Sequence, residues 1–383
     1  MKRTFAVAAA ATALATACAA IPAQAADDDP FDKVAPRQAP SQLSERLGSE
    51  AGTSAGTAVY RLAGDTRITT AIAASQDRWG DFGTEFAAGA VVLSRSDAYA
   101  DALGGSALAG AAQAPLLLTP GASLAPEVEA EIVRLLGPAE SAGPVYVLGG
   151  PTAVSTQVTD RLGTGSDTIE GLGYQVVRLQ GLDRFETSVA IAKQTAALIP
   201  DGVPQLVFAT TGRNFPDGLT AGATAGGYWS TLVLTRDTSV PPSVATYVNE
   251  MRGLDIPLFT VGGQAAAAFT GDYELVGTDR YHTARKVANL FWGDPATRGG
   301  EPIIVGLATG VNWPDALSGG AHVAGGGPLL LTQTDSIPTA TATAVSTMVS
   351  AVDTNPIEWG VVFGGQVAVT DKVVGEFDAL LNQ

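Results

Sequence analysis

The chain has 383 residues, of which 46% are hydrophobic and 16% charged, enough apolar content to bury real cores. Its formal net charge is −16, which argues against general nucleic-acid binding, since that runs on basic surface. Cys18 is the single cysteine, and His282 and His322 are the only histidines, neither with a metal-ligand neighbour in sequence, so no disulfide framework and no metal motif are expected.

In chain order, Lys2 and Arg3 precede an apolar stretch, Phe5 to Ala20, too short for a comfortable membrane span. Ala23-Gln24-Ala25 is an A-x-A cleavage site, so residues 1–25 read as a signal peptide and the mature chain starts at Ala26 with a charge of about −18. The rival reading is a lipidated Cys18, against which the preceding Ala15-Thr16-Ala17 lacks the expected large aliphatic residue. Residues 26–58 read as a flexible leader. Asp27-Asp28-Asp29 opens it, without the closing Glu and spacing of a calcium loop, and prolines and a Gly/Ser/Thr/Ala-rich run follow. No second stretch is apolar over the length of a bilayer span.

The remainder is one unit read three times, over 59–163, 174–270 and 271–383. Each copy opens with a strand, a glycine turn, an arginine and a helix. The openings are Arg61-Leu62-Ala63-Gly64 with Arg67, Arg178 to Arg184, and Glu274 to Arg280. Helices are expected over 68–77, 187–198 and 283–292. A βαβ unit follows, clearest around Asn312-Trp313-Pro314-Asp315: a strand from Ile303, a short helix over 316–324, Gly325-Gly326-Gly327, then Pro328-Leu329-Leu330-Leu331-Thr332. Asn214-Phe215-Pro216-Asp217 and Ala98-Tyr99-Ala100-Asp101 head the other two units. The spacing from Asp to Thr is 18, 18 and 17 residues. Each copy then has a second helix and a strand ending in Gly149-Gly150, Gly262-Gly263 or Gly364-Gly365, and a further short helix. Alternating strands and helices predict an α/β fold: three similar parallel-sheet modules, packed with pseudo-threefold symmetry because the spacers between them are short.

Several residues are candidates for chemistry. Asp101, Asp217 and Asp315 lie at the carboxyl end of a strand, where open α/β sheets place their sites. The competing reading is structural, with each Asp capping its helix and, in repeat three, Asn312 as N-cap with Asp315 completing a capping box. Arg67, Arg184 and Arg280 recur at one position in an acidic chain, and so need a partner. That partner is either an Asp of the same or a neighbouring repeat, which would fix the joint, or a bound carboxylate or phosphate. The glycine pairs read as tight turns or as an anion cradle, with no dinucleotide or P-loop fingerprint completed. No G-x-S-x-G elbow is present. A site repeated three times fits binding better than catalysis.

The combination resembles the bacterial cell wall-binding repeat 2 family. The residues that carry the likeness are R-L-x-G-x-D-R-x-x-T-(A/S) from Arg178 to Ser188 with counterparts at Arg61 and Glu274, N-F-P-D-G-L, N-W-P-D-A-L, P-L-L-L-T and the V-x-G-G turns, spanning Val59 to Gln383. The resemblance implies three tandem α/β modules in a trimer-like unit. It also implies non-covalent anchoring to anionic secondary polymers of a Gram-positive wall, with no cofactor. Repeat one departs from the pattern at Thr66, where the others have Asp, and at Ala98-Tyr99-Ala100; it is therefore the candidate weakest site. Repeat two has Ser230-Thr231 where the others have a proline before the strand.

The reading that follows is an exported, wall-associated, non-catalytic protein whose partner is a wall polysaccharide, with no nucleic acid, no membrane span and any protein partner unidentified. Candidate ligand-binding residues are Arg67, Arg184, Arg280, Asp217, Asp315, Asn214 and Asn312. Two alternatives stay open: a wall hydrolase or amidase acting through Asp217 or Asp315, and a small-anion binder at an inter-repeat cleft.

Overall fold

The computed structural model describes residues 57–294, 303–351 and 357–383. The expected signal peptide, Cys18 and most of the expected leader lie outside them. Repeat one runs through β1 (Ala58–Leu62), α1 (Arg67–Arg78), β2 (Val91–Arg95), α2 (Gly105–Ala112), β3 (Leu116–Thr119), α3 (Pro126–Leu136), β4 (Val145–Leu148) and α4 (Thr156–Leu162). The spacer after it folds into a small antiparallel hairpin, β5 (Gly165–Ser166) and β6 (Ile169–Glu170). Repeat two has β7 (Val176–Leu179), α5 (Arg184–Leu198), β8 (Val207–Thr211), α6 (Pro216–Gly227), β9 (Thr231–Thr235), α7 (Pro242–Arg252), β10 (Leu258–Val261) and α8 (Gly263–Ala268). Repeat three has β11 (Tyr273–Leu275), α9 (Arg280–Trp292), β12 (Ile303–Thr309), α10 (Pro314–Val323), β13 (Leu329–Thr332), α11 (Thr339–Ser350), β14 (Ile357–Phe363) and α12 (Asp371–Leu381).

Among the described residues three four-stranded sheets result, ordered β3-β2-β4-β7, β9-β8-β10-β11 and β13-β12-β14-β1, with every pairing within them parallel. The apolar runs explain why. Leu116-Leu117-Leu118 and Leu329-Leu330-Leu331 are buried throughout, as strands covered on both faces must be. Each fully buried Leu or Val is worth roughly 1.5–3 kcal/mol.

The fourth strand of every sheet belongs to the next repeat. β7 of repeat two completes the first sheet and β11 of repeat three completes the second. β1 of repeat one completes the third, across the whole length of the chain. The modules are therefore stitched cyclically by backbone hydrogen bonds.

The helices that follow the motif Asp, α2, α6 and α10, pack on one another around the pseudo-threefold axis. Small residues let them approach. A Cβ added at Gly110 would lie 2.6 Å from the Gly226 Cα, so this crossing tolerates no side chain. Ser106 Oγ donates to the Leu317 carbonyl at 3.2 Å across the same axis.

Two local expectations change. The opening helices start at the arginine itself, at Arg67, Arg184 and Arg280, because the preceding residue caps them. Asp183 accepts from the Phe185 and Glu186 N–H groups, and Asp279 accepts from that of His282. Thr66 does the same for Thr69. Thr and Asp are both good caps, so this departure of repeat one is chemically mild. In the motif turn, by contrast, repeat one differs in backbone. α6 and α10 begin at Pro216 and Pro314, whereas residues 101–104 form a turn and α2 begins only at Gly105. A proline with φ already set favours the first helical turn, and Ala100 supplies no such bias.

Candidate functional site

In each sheet the second strand has neighbours reached by opposite crossovers, as β2 sits between β3 and β4. The crevice beyond the carboxyl ends of such strands is a topological switch point. The motif turn after β2, β8 or β12 and the Gly-Gly turn after β4, β10 or β14 meet there. A Cβ added at Gly262, which has φ +88°, would lie 2.1 Å from Asp217 Oδ2. The first glycine of each pair is thus where backbone and carboxylate touch.

Neither expected capping arrangement forms. Asn312 Oδ1 accepts from the Trp313 N–H at 2.9 Å, and Asn214 Oδ1 from the Phe215 N–H at 3.0 Å. These are tight local turns one residue ahead of the helix, and α6 and α10 have no side-chain cap. Asp217 and Asp315 consequently do not spend their carboxylates on the helix end. They turn towards the next repeat.

There the pairing is cyclic. Asp101 of repeat one faces Arg184 and Thr187 of repeat two, and Asp217 of repeat two faces Arg280 and Thr283 of repeat three. Asp315 of repeat three faces Thr70 and Arg67 of repeat one. Burial pushes all three carboxyls above the usual range, Asp217 to about 6, against the pull of the arginine and the threonine hydroxyl. Each threonine also accepts from a glycine N–H, Gly64, Gly181 or Gly277, at 3.1 Å. The threonine was visible in the repeat motif, but the sequence assigned it no role.

Each arginine is held by a carbonyl, and two of the three also by an aromatic ring. Its Nη1 donates to a carbonyl at the end of its own repeat's second strand. Arg67 reaches Ser96 at 2.6 Å, Arg184 reaches Gly212 at 2.8 Å, and Arg280 bonds Gly310. The aromatic residue of the preceding repeat's motif lies under the guanidinium in two cases, Arg67 on Trp313 at 5.5 Å and Arg280 on Phe215 at 5.7 Å. Phe215 and Trp313 both pack edge-on to Tyr99, at 5.6 and 6.3 Å, so the third residue of this set ties the other two together near the axis. Among the described residues, no ion pair involves Asp101, Asp217 or Asp315. Carboxylate and guanidinium therefore influence each other without touching.

Two of these joints open into clefts. One, of about 430 Å³, is lined by Asn214, Asp217, Thr278, Arg280 and Thr283. The other, of about 560 Å³, is lined by Arg67, Thr70, Asn312, Asp315 and the 365–368 turn. Both lie within the roughly 300–1,000 Å³ of small-molecule sites. Six of the seven candidate residues fall into these two clefts, and Arg184 occupies the equivalent place at the first joint.

The glycine pairs do not form a free anion cradle. The N–H of the first glycine donates to the opening strand of the next repeat, Gly149 to Leu179, Gly262 to Leu275 and Gly364 to Leu62, at 2.8–3.0 Å. The carbonyls of two of the same glycines accept from Arg178 and Arg61, at 2.8 and 2.5 Å.

One polar cluster was missed from sequence. His322 on α10 is buried, and its Nε2 lies 2.7 Å from Asp77 Oδ2 on α1, which also accepts from the Tyr60 hydroxyl at 3.1 Å. Beside it, Arg78 donates to the carbonyls of Ala321, His322 and Ala324 at the end of α10. Burial lowers the pKa of His322, partly offset by Asp77. Residues 245 positions apart gave no sequence signal of this contact.

Comparison with known proteins gives one family. The profile described as Cell wall binding domain 2 (CWB2) matches residues 61–159, 178–268 and 274–374, so the chain belongs to that family. Among curated relatives, the N-acetylmuramoyl-L-alanine amidase LytC of Bacillus subtilis (strain 168) is 25% identical over 272 residues, 68% of this chain and 47% of the relative. The amidase enhancer of the same organism is 28% identical over 181 residues, 47% of this chain and 22% of the relative. Among solved structures, Cwp8 from Clostridium difficile superposes with a TM-score of 0.67 at 25% identity, covering 88% of this chain and 54% of that one. Cwp6 from Clostridium difficile gives 0.70 at 21% identity, covering 86% and 48%. The chain spans about half the length, or less, of these relatives.

Proposed function

We propose that this member of the Cell wall binding domain 2 family is an exported, non-catalytic protein that attaches non-covalently to a secondary polymer of the bacterial cell wall, through the joints between its repeats. The observation that carries this reading is the arrangement of Arg280 with Asp217 and of Arg67 with Asp315. Each pair comes from two different repeats, lines an open cleft, and is not ion-paired. A donor and an acceptor held apart in a cleft suit a hydroxylated ligand that bridges them, and the half-buried carboxylate disfavours a bare anion. An acidic protein meeting an anionic polymer would thus bind it through its sugars, with the arginines taking what negative charge lies alongside.

The test is sedimentation of the mature chain, 26–383, with purified walls and with walls stripped of secondary polymer. Binding that is lost on stripping, and weakened in Arg280→Ala and Arg67→Ala, supports the reading. Adherence to neither preparation overturns it.

A second reading is favoured by one observation. A carboxyl raised to about 6 in a cleft, as at Asp217, has the pKa of a general acid. A hydrolase would release sugar or peptide fragments from walls, and Asp217→Asn would abolish that release. Assay of the sedimentation supernatant separates the two readings.

A further inference from the structure

The two open clefts share their polar floor and differ at the rim. In the cleft between repeats three and one, Val311 and Val367 stand at the edge, 62% and 95% exposed, with Pro314 and Ala368 beside them. The cleft between repeats two and three has Thr238, Gln264 and Thr278 at its edge and no valine among its lining residues; Gln366, the counterpart of Gln264, is common to both, so the two valines are what sets the clefts apart. By position in the motif, Arg213 stands where repeat three has Val311. Ala265, smaller and fully buried, stands where it has Val367. A side chain as apolar as valine at 95% exposure gains nothing from folding, so its contribution has to come from what it meets.

The floor of this cleft offers an acceptor, the Asp315 carboxylate, and donors on Arg67 and Asn312. A group that matches all three features has an N–H, a carbonyl and a methyl in a fixed triangle. That is an acetamido group. We infer that the cleft between repeats three and one is a subsite for an N-acetylated amino sugar, its amide shared between Asp315 and Arg67 and its methyl against Val311 and Val367. The cleft between repeats two and three takes an unacetylated, hydroxylated sugar. The burial that keeps Asp315 hard to ionise also favours a neutral N–H donor over a competing cation.

This inference rests on the wall-polymer reading, and the experiment keeps the two apart. Saturation-transfer NMR on the full mature chain compares the methyl glycosides of N-acetylglucosamine and of glucose. The expected result is the strongest saturation at the acetyl methyl, and a preference for the acetylated probe. Val311→Thr/Val367→Thr, both exposed and so harmless to the fold, is expected to weaken the acetylated probe about three- to tenfold, the worth of one methyl contact. The glucose glycoside should be unchanged. Asp315→Ala should weaken the acetylated probe as well, because it removes the acceptor. Equal binding of the two glycosides, or a preference that survives the double substitution, overturns the inference.

Wall sedimentation of the same samples tests the underlying reading. Adherence without the acetamido preference sinks the subsite alone, whereas the preference without adherence keeps the subsite and sinks the wall function. Both peptidoglycan and secondary polymers can carry acetamido sugars. Adherence sensitive to the valine pair that survives stripping assigns the group to peptidoglycan, and adherence lost on stripping assigns it to the secondary polymer.

Discussion

The joint between repeats two and three and the joint between repeats three and one are built on one plan above and on opposite plans below. Above, each has an Asp, an Arg and a Thr from two repeats. Seven residues beyond those landmarks they diverge. At the first joint, Thr224 stands where His322 does, and Leu290 and Phe291 stand where Asp77 and Arg78 do. That joint is packed with aromatic rings, with Tyr228 against Phe291 and Trp292 at 4.9 and 5.1 Å and its hydroxyl bonded to the Phe291 carbonyl. The closing joint instead buries His322 against Asp77 and caps α10 with Arg78. The chain itself holds repeats two and three together, so packing suffices there. Repeats three and one are joined only by contacts, and three quasi-equivalent surfaces compete for them. A mispaired closure would strand Asp77 or His322 against an apolar face, and an unpaired buried charge is strongly penalised.

The comparison breaks most directly at Asp77. Asp77→Ala removes an acceptor shared by His322 and the Tyr60 hydroxyl and should cost about 2–4 kcal/mol, read as a shift in urea midpoint. Gln194→Ala, at the matching position of the joint between repeats one and two, should stay within about 0.5 kcal/mol. Equal effects would show that the closing joint has no special role.

Asp217 should behave in the opposite way. Its folded pKa lies above the unfolded value, so the stability it contributes is present in acid and lost as pH rises through about 6. At pH 7 the wild type holds a disfavoured charge, and Asp217→Asn should be more stable by about 1–2 kcal/mol while wall binding falls. His322 has the reverse sign. Its folded pKa is lowered, so its contribution is complete above an unfolded pKa of about 6.5 and declines as pH falls below it. Unfolding followed from pH 7 to 5.5 should therefore fall more steeply in Asp217→Asn than in the wild type. A parallel pair of curves would refute this assignment.

Smaller effects sharpen the picture. Arg67→Ala and Arg280→Ala each lose a carbonyl bond and a ring contact, about 1 kcal/mol apiece in thermal unfolding. Thr66→Asp, which gives repeat one the cap of the other two, should change stability by about 0.5 kcal/mol or less. A large gain would mean that Thr66 is a poorer cap than its geometry indicates.

Much of the fold was legible from a few residues. The glycine turn before each arginine, the proline after Asn214-Phe215 and Asn312-Trp313, and the buried apolar strands each dictate local structure through backbone sterics or burial, and repetition made them visible more than once; the caps at Thr66, Asp183 and Asp279 came only from the structure. The site was legible in its membership and not in its pairing. Asp217 reads as a helix cap because first-turn carboxylates commonly are, and only the neighbouring repeat shows that its carboxylate points elsewhere. Thr187 and Thr283 look like ordinary helix residues until their hydroxyls are seen between a glycine N–H and that carboxylate. The exposed valines at 311 and 367 carry no signal in a chain this apolar.

The sequence by itself determined the repeat, the order of strands and helices, and the parallel sheets, because periodicity, turn chemistry and burial act over a few residues. Only the tertiary structure decided that each sheet borrows its fourth strand from the next repeat, that Arg67 answers Asp315 across the ends of the chain, and that His322 meets Asp77. Those contacts depend on how the three central helices approach along their glycines. Such packing is a property of surfaces brought together, and no local run of residues encodes which surface will arrive.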